Sequence, residues 1–242
     1  MTTTGASSAN DRPLLNKAER RTPAFLTDFD DTAAVQNVAE LLLNRFGASN
    51  WTDVRQAFRD GKMSLKEYQE ITFREIQADR PAMQHYVREH ATLRPWFPEL
   101  RRFCLSKGIP LAVVSQGLDF YISALLERDG FGDVPIYAVD TSFQDGRISY
   151  HYNHTYPGRE AQGNSKAFVV EGFQRQGYYV VYAGDGVSDL EASRQADLVF
   201  AHRTLARFCD DEGISYQPFQ DFRSILLALR ELHLNLNGAR PA

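Results

Sequence analysis

The stretch Asp28-Phe29-Asp30-Asp31-Thr32 directly follows a short apolar run, Ala24 to Thr27. A short apolar run of this kind indicates a strand that is buried inside a sheet. Three carboxylates at the end of a buried strand are destabilised by desolvation and by mutual repulsion, unless a cation shares the site or the negative charge takes part in chemistry. The sequence therefore predicts a functional site at the end of this strand.

Length and composition indicate an ordinary globular protein. The chain has 242 residues, of which 43% are hydrophobic and 24% are charged, so it can bury a full core as one large domain or as two unequal ones. A net charge of −4 provides no broad basic field, which argues against non-specific binding to nucleic acid or to an anionic membrane. We expect a small-molecule partner, and the oligomeric state stays open.

The chain shows no targeting or membrane signal. No apolar run approaches the roughly 20 residues that a spanning helix needs, and the N-terminus lacks the basic and apolar regions of a secretory signal, so a cytoplasmic protein is expected. Cys104 and Cys209 lie in apolar helical contexts, where buried thiols without a disulfide are expected. The histidines show no compelling metal-ligand spacing.

The first part of the chain divides into an arm, a strand and a helical segment. Residues 1–22 are polar and lack hydrophobic periodicity, which predicts a flexible N-terminal arm, and the folded unit begins near Pro23. The segment 33–92, called the helical insert below, contains helical patterns and no convincing strand. Its helices are predicted at residues 33–46, 51–59, 64–78 and 81–90.

Strands and helices alternate after the helical insert. Apolar strands are predicted at residues 109–114, 135–139, 178–183 and 198–201, and a hairpin at residues 141–150 turns at Asp145-Gly146. Short apolar strands that are separated by helices are typical of a parallel sheet buried on both faces. The predicted fold class is therefore α/β, with a doubly wound parallel sheet and a small all-helical unit.

Three of the predicted strands end in polar clusters, at residues 28–32, 115–117 and 185–189. Ligands bind beyond the carboxyl ends of the strands in an open α/β sheet, so these clusters are expected to converge. Each cluster alone could be an ordinary turn, because Asp, Ser and Gly are frequent turn residues. Their common place at strand ends favours a shared site.

The residue types in these clusters suit a metal ion and a phosphate. Carboxylates favour a hard cation, and a site with few carboxylates plus a substrate phosphate favours Mg²⁺. Ser115 to Gly117 offers a hydroxyl and a flexible backbone, and Lys166 near a helix start offers an ammonium group, so together they would form a phosphate cradle. A lone lysine at a helix start is more commonly solvated. The predicted phosphate-binding role of Lys166 therefore rests on the order of the motifs around it.

Read in order, Asp28-x-Asp30-x-Thr32, a strand followed by Ser115, then Lys166, then Gly184-Asp185-Gly186-x-x-Asp189 resembles the haloacid dehalogenase superfamily of aspartyl-nucleophile phosphatases. The resemblance spans nearly all of residues 23–225. It implies a Rossmann-like core domain at residues 23–32 and 93–242 with a small helical (C1) cap domain at residues 33–92. It also implies a Mg²⁺-dependent hydrolase of a small phosphomonoester.

The resemblance also implies a role for each motif residue. Asp28 would be the nucleophile and a metal ligand, and Asp30 would move protons while its backbone carbonyl binds the metal. Asp185 would be the other direct metal ligand, and Asp189 would orient water or Lys166 from outside the metal shell. The phosphate oxygens would be held by Thr32, Ser115, Gln116, Lys166 and Ser188.

The helical insert resembles the branch that contains phosphoserine phosphatase and the methionine-salvage enolase-phosphatase. Residues 63–67, 198–201 and 216–222 are similar to the second of these enzymes. Asp31 and Asn37 stand where phosphoserine phosphatases have a serine and an amine-reading glutamate, which argues against phosphoserine. No role is predicted for Asp31, and the substrate stays open.

Two points about this interpretation have alternatives. Arg55, Arg59 and Arg74 could recognise the substrate, but arginines on an amphipathic helix more commonly belong to a solvated face.

A phosphoaccepting receiver module or a catalytically silent protein of the same fold would also carry an acidic cluster and a lysine on a doubly wound sheet. A receiver has no helical insert after its first acidic cluster and needs no proton donor two residues after its phosphorylated aspartate.

Overall fold

The computed structural model describes residues 21–144 and 147–238. Residues 1–20 of the predicted arm and the predicted turn at residues 145–146 therefore lie outside the described residues. The last two residues of the predicted arm are attached to the sheet. Arg21 Nη2 lies 2.5 Å from Asp197 Oδ1, and the carbonyl oxygen of Thr22 accepts the N–H of Tyr179 at 2.9 Å.

A seven-stranded sheet forms the centre of the molecule. Its strands are β1 (Pro23–Thr27), β2 (Leu111–Leu118), β3 (Ile136–Gln144), β4 (Arg147–His151), β5 (Tyr179–Gly184), β6 (Leu198–Ala201) and β7 (Gln217–Pro218). They lie in the order β4-β3-β2-β1-β5-β6-β7. All neighbouring pairs are parallel except β3 and β4, which are antiparallel.

Ten described segments form α-helices. They are α1 (Val38–Phe46), α2 (Trp51–Arg59), α3 (Leu65–Arg74), α4 (Arg80–His90), α5 (Phe97–Lys107), α6 (Asp119–Arg128), α7 (Lys166–Arg175), α8 (Leu190–Gln195), α9 (Arg203–Glu212) and α10 (Phe222–Gly238). None of these helices has both the length and the apolar character needed to cross a lipid bilayer.

β1 lies in the middle of the sheet, and its side chains alternate between two cores. Phe25 packs against Phe222 of α10 on one face, at a ring distance of 6.0 Å. Leu26 belongs to a second core on the opposite face, which includes Val170 and Phe173 of α7. Helices on both faces of a largely parallel sheet confirm the predicted α/β fold.

The strand order reverses at β1, because the chain adds β2 on one side of it and β5 on the other. In an open α/β sheet, a crevice for ligands forms beyond the carboxyl ends of the strands at such a point. The acidic stretch after β1 lies at this position. The topology therefore places the stretch Asp28 to Thr32 where a ligand is expected to bind.

The predicted helix at residues 33–46 is wrong at its start, because α1 begins at Val38. Ala34 instead forms an antiparallel bridge with Leu93, and the N–H of Val35 donates to the carbonyl oxygen of Thr92 at 2.8 Å. Two extended segments, entering and leaving the helical insert, thus lie side by side. The helix begins after Asn37, whose side chain caps its first turn.

Between residues 38 and 90 the described chain forms helices and no strand, as the sequence predicts. α3 starts at a capping box, in which Ser64 and Glu67 exchange hydrogen bonds. The insert packs on the rest of the molecule through α4 against α6 and through α3 against β4. These contacts hold α1, α2 and α3 over the carboxyl end of the sheet.

Candidate active site

The carboxyl ends of β1, β2 and β5 open into one cavity of about 310 Å³. The three polar clusters that are predicted to converge all contribute to its wall. Helices α1, α2 and α3 form the opposite side. The wall includes these residues of the predicted site: Asp28, Asp30, Ser115, Gln116, Lys166, Asp185 and Ser188.

Lys166 is the central cation of the site, and its side chain is 3% exposed. Its Nζ donates to Asp28 Oδ1 and to Asp189 Oδ1, both at 2.6 Å, and to Ser188 Oγ at 3.2 Å. Burial alone would lower the pKa of Lys166, but the carboxylates of Asp189 and Asp28 outweigh burial and raise it. The ammonium group therefore stays charged between two anions.

Asp189 supports the lysine through a complete set of hydrogen bonds. Its Oδ1 accepts the hydroxyl of Tyr182 at 2.6 Å in addition to Lys166. Its Oδ2 accepts the backbone N–H groups of Asp185 at 3.0 Å and Gly186 at 2.9 Å. Both oxygens are therefore used by protein donors, which fits the predicted supporting role of this residue.

An acidic triad is the candidate metal centre among the described residues. Oxygen atoms of Asp28, Asp185 and Asp189 all lie within 4.8 Å of one another. Thr32 Oγ1 lies 3.4 Å from both Asp28 Oδ2 and Asp185 Oδ1. Because protein donors use both oxygens of Asp189, the carboxylates of Asp28 and Asp185 are the members of the triad with ligand oxygens to spare.

The electrostatics of the triad favour a cation. Burial and then the charge of Asp189 raise the pKa of Asp28 well above its usual range, which Lys166 counteracts in part. The same two causes raise the pKa of Asp185 to about 7. Three carboxylates are clustered around the one buried ammonium group of Lys166, so the triad holds more negative charge than Lys166 alone can balance. Hard carboxylate donors with excess negative charge fit a divalent cation.

Asp30 is turned towards the start of α1 and towards α6. Its Oδ1 accepts the N–H groups of Val38 at 2.6 Å and Ala39 at 3.3 Å, and its Oδ2 accepts the hydroxyl of Tyr121 at 2.9 Å. Burial raises the pKa of Asp30 to about 6, and the hydrogen bonds limit that rise. A carboxyl group with a pKa near the working pH can both donate and accept a proton.

The last residues of β2 include two of the predicted phosphate ligands. Ser115 is buried, and its Oγ accepts the N–H of Gly117 at 2.9 Å, which leaves the hydroxyl proton available to another acceptor. The side-chain amide of Gln116 donates to the carbonyl oxygen of Asn164 at 2.8 Å, and the Gln116 carbonyl accepts the side chain of Gln69 at 3.1 Å. The amide thus links β2 to the segment before α7, and its phosphate-binding role stays a prediction.

Asp31, for which no role is predicted, is fixed by two arginines. Its backbone lies in the left-handed region, with φ of 59°. Arg203 forms an ion pair with its carboxylate and lies 3.9 Å from Asp185 Oδ2. Arg94 donates to the carbonyl oxygens of Asp31 at 2.5 Å and Thr32 at 2.6 Å. These contacts hold a conformation that is costly for a residue other than glycine.

The helical insert contributes a charged pair to the cavity wall. Arg55 Nη1 lies 2.7 Å from Glu40 Oε1, and Arg59 Nη2 lies 3.9 Å from the same oxygen. The guanidinium of Arg55 also lies 4.8 Å from the centre of the Trp51 ring, which limits its orientations. Arg74, the third predicted candidate, is not among the residues that line the cavity.

The wall beside this pair is apolar. Phe58 and Tyr68 stack with their ring centres 5.2 Å apart, and Leu65, Phe73 and Val187 complete the surface. Val187 is 62% exposed, although it belongs to the polar cluster after β5. A ligand that fills the cavity would therefore contact carboxylates and Lys166 at one end and mainly apolar side chains at the other.

Sequence reasoning misses several residues that shape the site. Tyr121, Tyr182, Arg94 and Arg203 each contact a motif residue, but none of them lies in a polar cluster at a strand end. For Tyr182 the sequence gives a weak indication, because a hydroxyl inside a predicted buried strand needs a hydrogen-bond partner. The other three reach the site through the fold, and nothing around them in the sequence indicates it.

A comparison with protein families identifies the chain. Residues 25–194 match the model of the haloacid dehalogenase-like hydrolases, which is more than half of the chain. The chain therefore belongs to the haloacid dehalogenase-like hydrolase family.

The chain is also similar to individual proteins. The bifunctional enzyme MtnB/MtnX of Bacillus licheniformis is 29% identical over 216 residues, and the matched region covers 87% of this chain and 50% of that enzyme. The chain thus spans about half the length of this relative. The 2-hydroxy-3-keto-5-methylthiopentenyl-1-phosphate phosphatase of Exiguobacterium sibiricum is 29% identical over 208 residues, which cover 84% of this chain and 94% of that protein.

Solved structures share the fold. A phospho-aspartyl intermediate analogue of phosphoserine phosphatase matches 86% of this chain and 99% of its own chain, with a TM-score of 0.64 and 17% identity. At this level of identity the likeness shows the fold alone. Together, these comparisons confirm the predicted family, the predicted α/β fold and the assignment to the phosphatases of this family.

We expect Gly184→Ala to lower the free energy of unfolding by about 2 kcal/mol, because an added side chain would overfill a packed site. A Cβ at Gly184 would lie 2.4 Å from Asp189 Cγ, and Asp189 is fully buried and hydrogen-bonded. Urea denaturation would measure the change. The matched control is Gly186→Ala, whose Cβ meets its nearest atoms at 3.9 Å and should shift stability by less than about 0.5 kcal/mol. Equal effects of the two substitutions would contradict the packing described for Asp189.

Proposed function

We propose that this hydrolase transfers the phosphoryl group of a small phosphomonoester first to Asp28 and then to water. One observation carries the proposal. Asp28 Oδ1 is held by the buried ammonium of Lys166 at 2.6 Å, while Oδ2 receives only a long 3.4 Å contact from Thr32 among the described residues. One oxygen is thus fixed by a cation, and the other is available beside the cavity.

The first step forms a covalent intermediate on Asp28. A carboxylate oxygen of Asp28 attacks phosphorus, and the bond between phosphorus and the leaving oxygen breaks. Asp30 gives its proton to that oxygen, so the product leaves as a neutral alcohol or enol. The result is an aspartyl-phosphate and an ionised Asp30.

The second step restores the enzyme. A water molecule attacks phosphorus, its proton passes to Asp30, and the bond between phosphorus and Asp28 breaks. Inorganic phosphate is released, and both aspartates return to their starting protonation states. Covalent catalysis of this kind divides one difficult hydrolysis into two easier displacements.

The surrounding groups would bind and position the phosphoryl group. Lys166 balances negative charge on its oxygens, and the hydroxyls of Ser115, Thr32 and Ser188 are hydrogen-bond donors at the carboxyl ends of the strands. In phosphoryl transfer the protein acts mainly by positioning and by charge stabilisation. The arrangement of these donors around Asp28 supports that role.

We propose Mg²⁺ as the cation of the acidic triad. Asp28 and Asp185 would each contribute one carboxylate oxygen, with the backbone carbonyl of Asp30 as a third ligand, and Asp189 would support them from outside. When bound, Mg²⁺ would neutralise charge on the phosphoryl oxygens. The hard oxygen donors and the unbalanced negative charge of the triad support this assignment.

The division of the chain into domains is part of the same proposal. Residues 23–32 and 93–242 would be the core domain, and residues 33–92 would be a cap that covers the cavity and excludes water from the reacting groups. The side-by-side segments at Ala34 and Leu93 would connect the two. The cavity wall that α1, α2 and α3 contribute supports this assignment.

For the substrate, we propose a compound of the type named for the Exiguobacterium relative, 2-hydroxy-3-keto-5-methylthiopentenyl-1-phosphate. Its methylthio end would contact the apolar wall at Phe58, Leu65 and Phe73, and its oxygen substituents would meet the pair of Arg55 and Glu40. The cavity and the compound each have one apolar end and one polar end, and this correspondence supports the choice of substrate.

Phosphoserine fits the same cavity less well. Its ammonium group needs an unpaired anion, but Glu40 is paired with Arg55, and Asp31 is paired with Arg203. Asn37 stands at the place of the amine-reading glutamate and is used as the cap of α1, where it accepts the N–H of Glu40 at 2.9 Å. A buried charge without a partner is costly, so we expect discrimination against this substrate.

We expect Asp28→Asn to lower kcat for p-nitrophenyl phosphate by at least about a thousandfold, because an amide oxygen is a poor nucleophile. Circular dichroism should show a folded protein. Removal of divalent cations by EDTA should abolish wild-type turnover, and added Mg²⁺ should restore it. Asp60→Asn is the control, since this exposed carboxylate is not part of the cavity wall and pairs with Lys62. Wild-type activity in Asp28→Asn would disprove the assignment of the nucleophile.

The wild-type enzyme should prefer 2-hydroxy-3-keto-5-methylthiopentenyl-1-phosphate to phosphoserine by at least about tenfold in kcat/KM, the size of effect that pocket contacts supply. Phosphate release from both compounds at equal Mg²⁺ would measure the preference. A lower kcat/KM for the enol phosphate than for phosphoserine would overturn the substrate assignment, while the aspartyl-phosphate chemistry would stand.

A further inference from the structure

Tyr121 is a buried residue in the cavity wall whose hydroxyl has no part in the proposed chemistry. Its side chain is 0% exposed, and its Oη donates to Asp30 Oδ2 at 2.9 Å. Tyr121 lies on α6, and 91 residues separate it from Asp30 in the sequence. A buried tyrosine hydroxyl normally finds a hydrogen-bond partner, and here the partner is the carboxyl group that is proposed to move protons.

The two oxygens of Asp30 have different partners. Oδ1 accepts the backbone N–H groups of Val38 and Ala39, which can donate and cannot accept. A proton on Oδ1 would face these donors, so the proton that Asp30 gives and takes must reside on Oδ2. A hydroxyl can both donate and accept, so Tyr121 can remain hydrogen-bonded to Oδ2 whether or not Asp30 is protonated.

The position of the Tyr121 hydroxyl is fixed by close packing. A Cβ at Gly117 would lie 1.9 Å from Tyr121 Oη and 3.1 Å from Asp30 Oδ2, so the pair lies directly against the last residues of β2, next to Ser115. The ring of Tyr121 packs near the ring of Phe29, at a centre distance of 6.2 Å, and near that of Phe73 in the helical insert, at 6.5 Å. The hydroxyl is thus held beside the end of β2 by residues of both the stretch after β1 and the insert.

We propose that Tyr121 is a positioning residue that holds Oδ2 of Asp30, the oxygen that carries the proton, at the place where the leaving oxygen of the substrate departs. This inference rests on the proposed phosphatase function. The neutral hydroxyl does not react, and it acts through Asp30 by restricting the carboxyl group to one orientation. A catalytic group that is held in the correct orientation accelerates a reaction much more than one that is free to rotate.

The test is Tyr121→Phe, which removes one oxygen atom and keeps the ring. Phenyl phosphate and p-nitrophenyl phosphate are similar in shape, but phenolate leaves much less readily and depends more on a proton from Asp30. We expect kcat/KM to fall by about tenfold for phenyl phosphate and by less than about threefold for p-nitrophenyl phosphate. The ratio kcat/KM is the right measure because it reports the steps up to departure of the leaving group.

Two further variants separate positioning from a general loss of structure. Tyr150→Phe also removes a buried hydroxyl, which has no hydrogen-bond partner among the described residues, and it should leave both kcat/KM values unchanged. In an Asp30→Asn background, Tyr121→Phe should change kcat/KM for phenyl phosphate by less than about twofold, because a residue that acts through Asp30 has no effect once Asp30 is replaced.

The outcomes distinguish this inference from the proposed function. An equal fall for both phosphates, no fall for either, or a full additional loss in the Asp30→Asn background would each overturn the role of Tyr121 while the enzyme remains a phosphatase. Absence of turnover in the wild-type protein with Mg²⁺ would instead overturn the proposed function and this inference with it.

Discussion

The active site depends on one buried ammonium group that is shared between two buried carboxylates. Lys166 Nζ lies 2.6 Å from both Asp28 and Asp189, and all three side chains are buried. Such a cluster is tolerated while every member is present, and loss of one partner from a buried ion pair costs about 3–5 kcal/mol. Asp189 is further fixed by the hydroxyl of Tyr182 and by two backbone N–H groups. This fixed half of the site leaves Asp28 and Asp185 as the carboxylates with oxygens that are free to bind a cation or a phosphoryl group.

The sheet brings these charges together. β1 is the strand at which the order reverses, so its carboxyl end lies between those of β2 and β5, and each of the three strands contributes one polar cluster. The helical insert leaves the core directly after the first cluster and returns beside it, with Ala34 paired to Leu93. Asp30 lies at this junction, where it caps the start of α1 and meets Tyr121 of α6. The Asp30 carboxyl is therefore linked both to the insert, through α1, and to the rest of the molecule, through α6.

Local patterns are sufficient to predict the order of elements and the polar clusters that meet at the end of the sheet, but they do not reveal the partners of the carboxylates in those clusters. α2 has the predicted bounds, since its periodicity is set by nearby residues. The helix predicted from residue 33 starts at Val38, because pairing with residues 92–94 keeps the chain extended, and that pairing joins segments far apart in sequence. No role could be predicted for Asp31 for the same reason, because its ion-pair partner Arg203 is distant in the sequence, at the start of α9. Long-range contacts that depend on the finished fold leave no mark on a short window of sequence.

The central claim is that Asp28 carries the phosphoryl group during turnover. Rapid mixing of the wild-type enzyme with Mg²⁺ and p-nitrophenyl phosphate, followed by acid quenching and peptide mass spectrometry, tests it most directly. We expect one phosphoryl group on the peptide that contains Asp28, with fragment ions that place it on Asp28, and we expect it to disappear at least as fast as kcat. A phosphoryl group on another residue, or none during steady turnover, would contradict the account. A phosphorylated Asp28 that persists without turnover would contradict it in favour of a receiver-type signalling module.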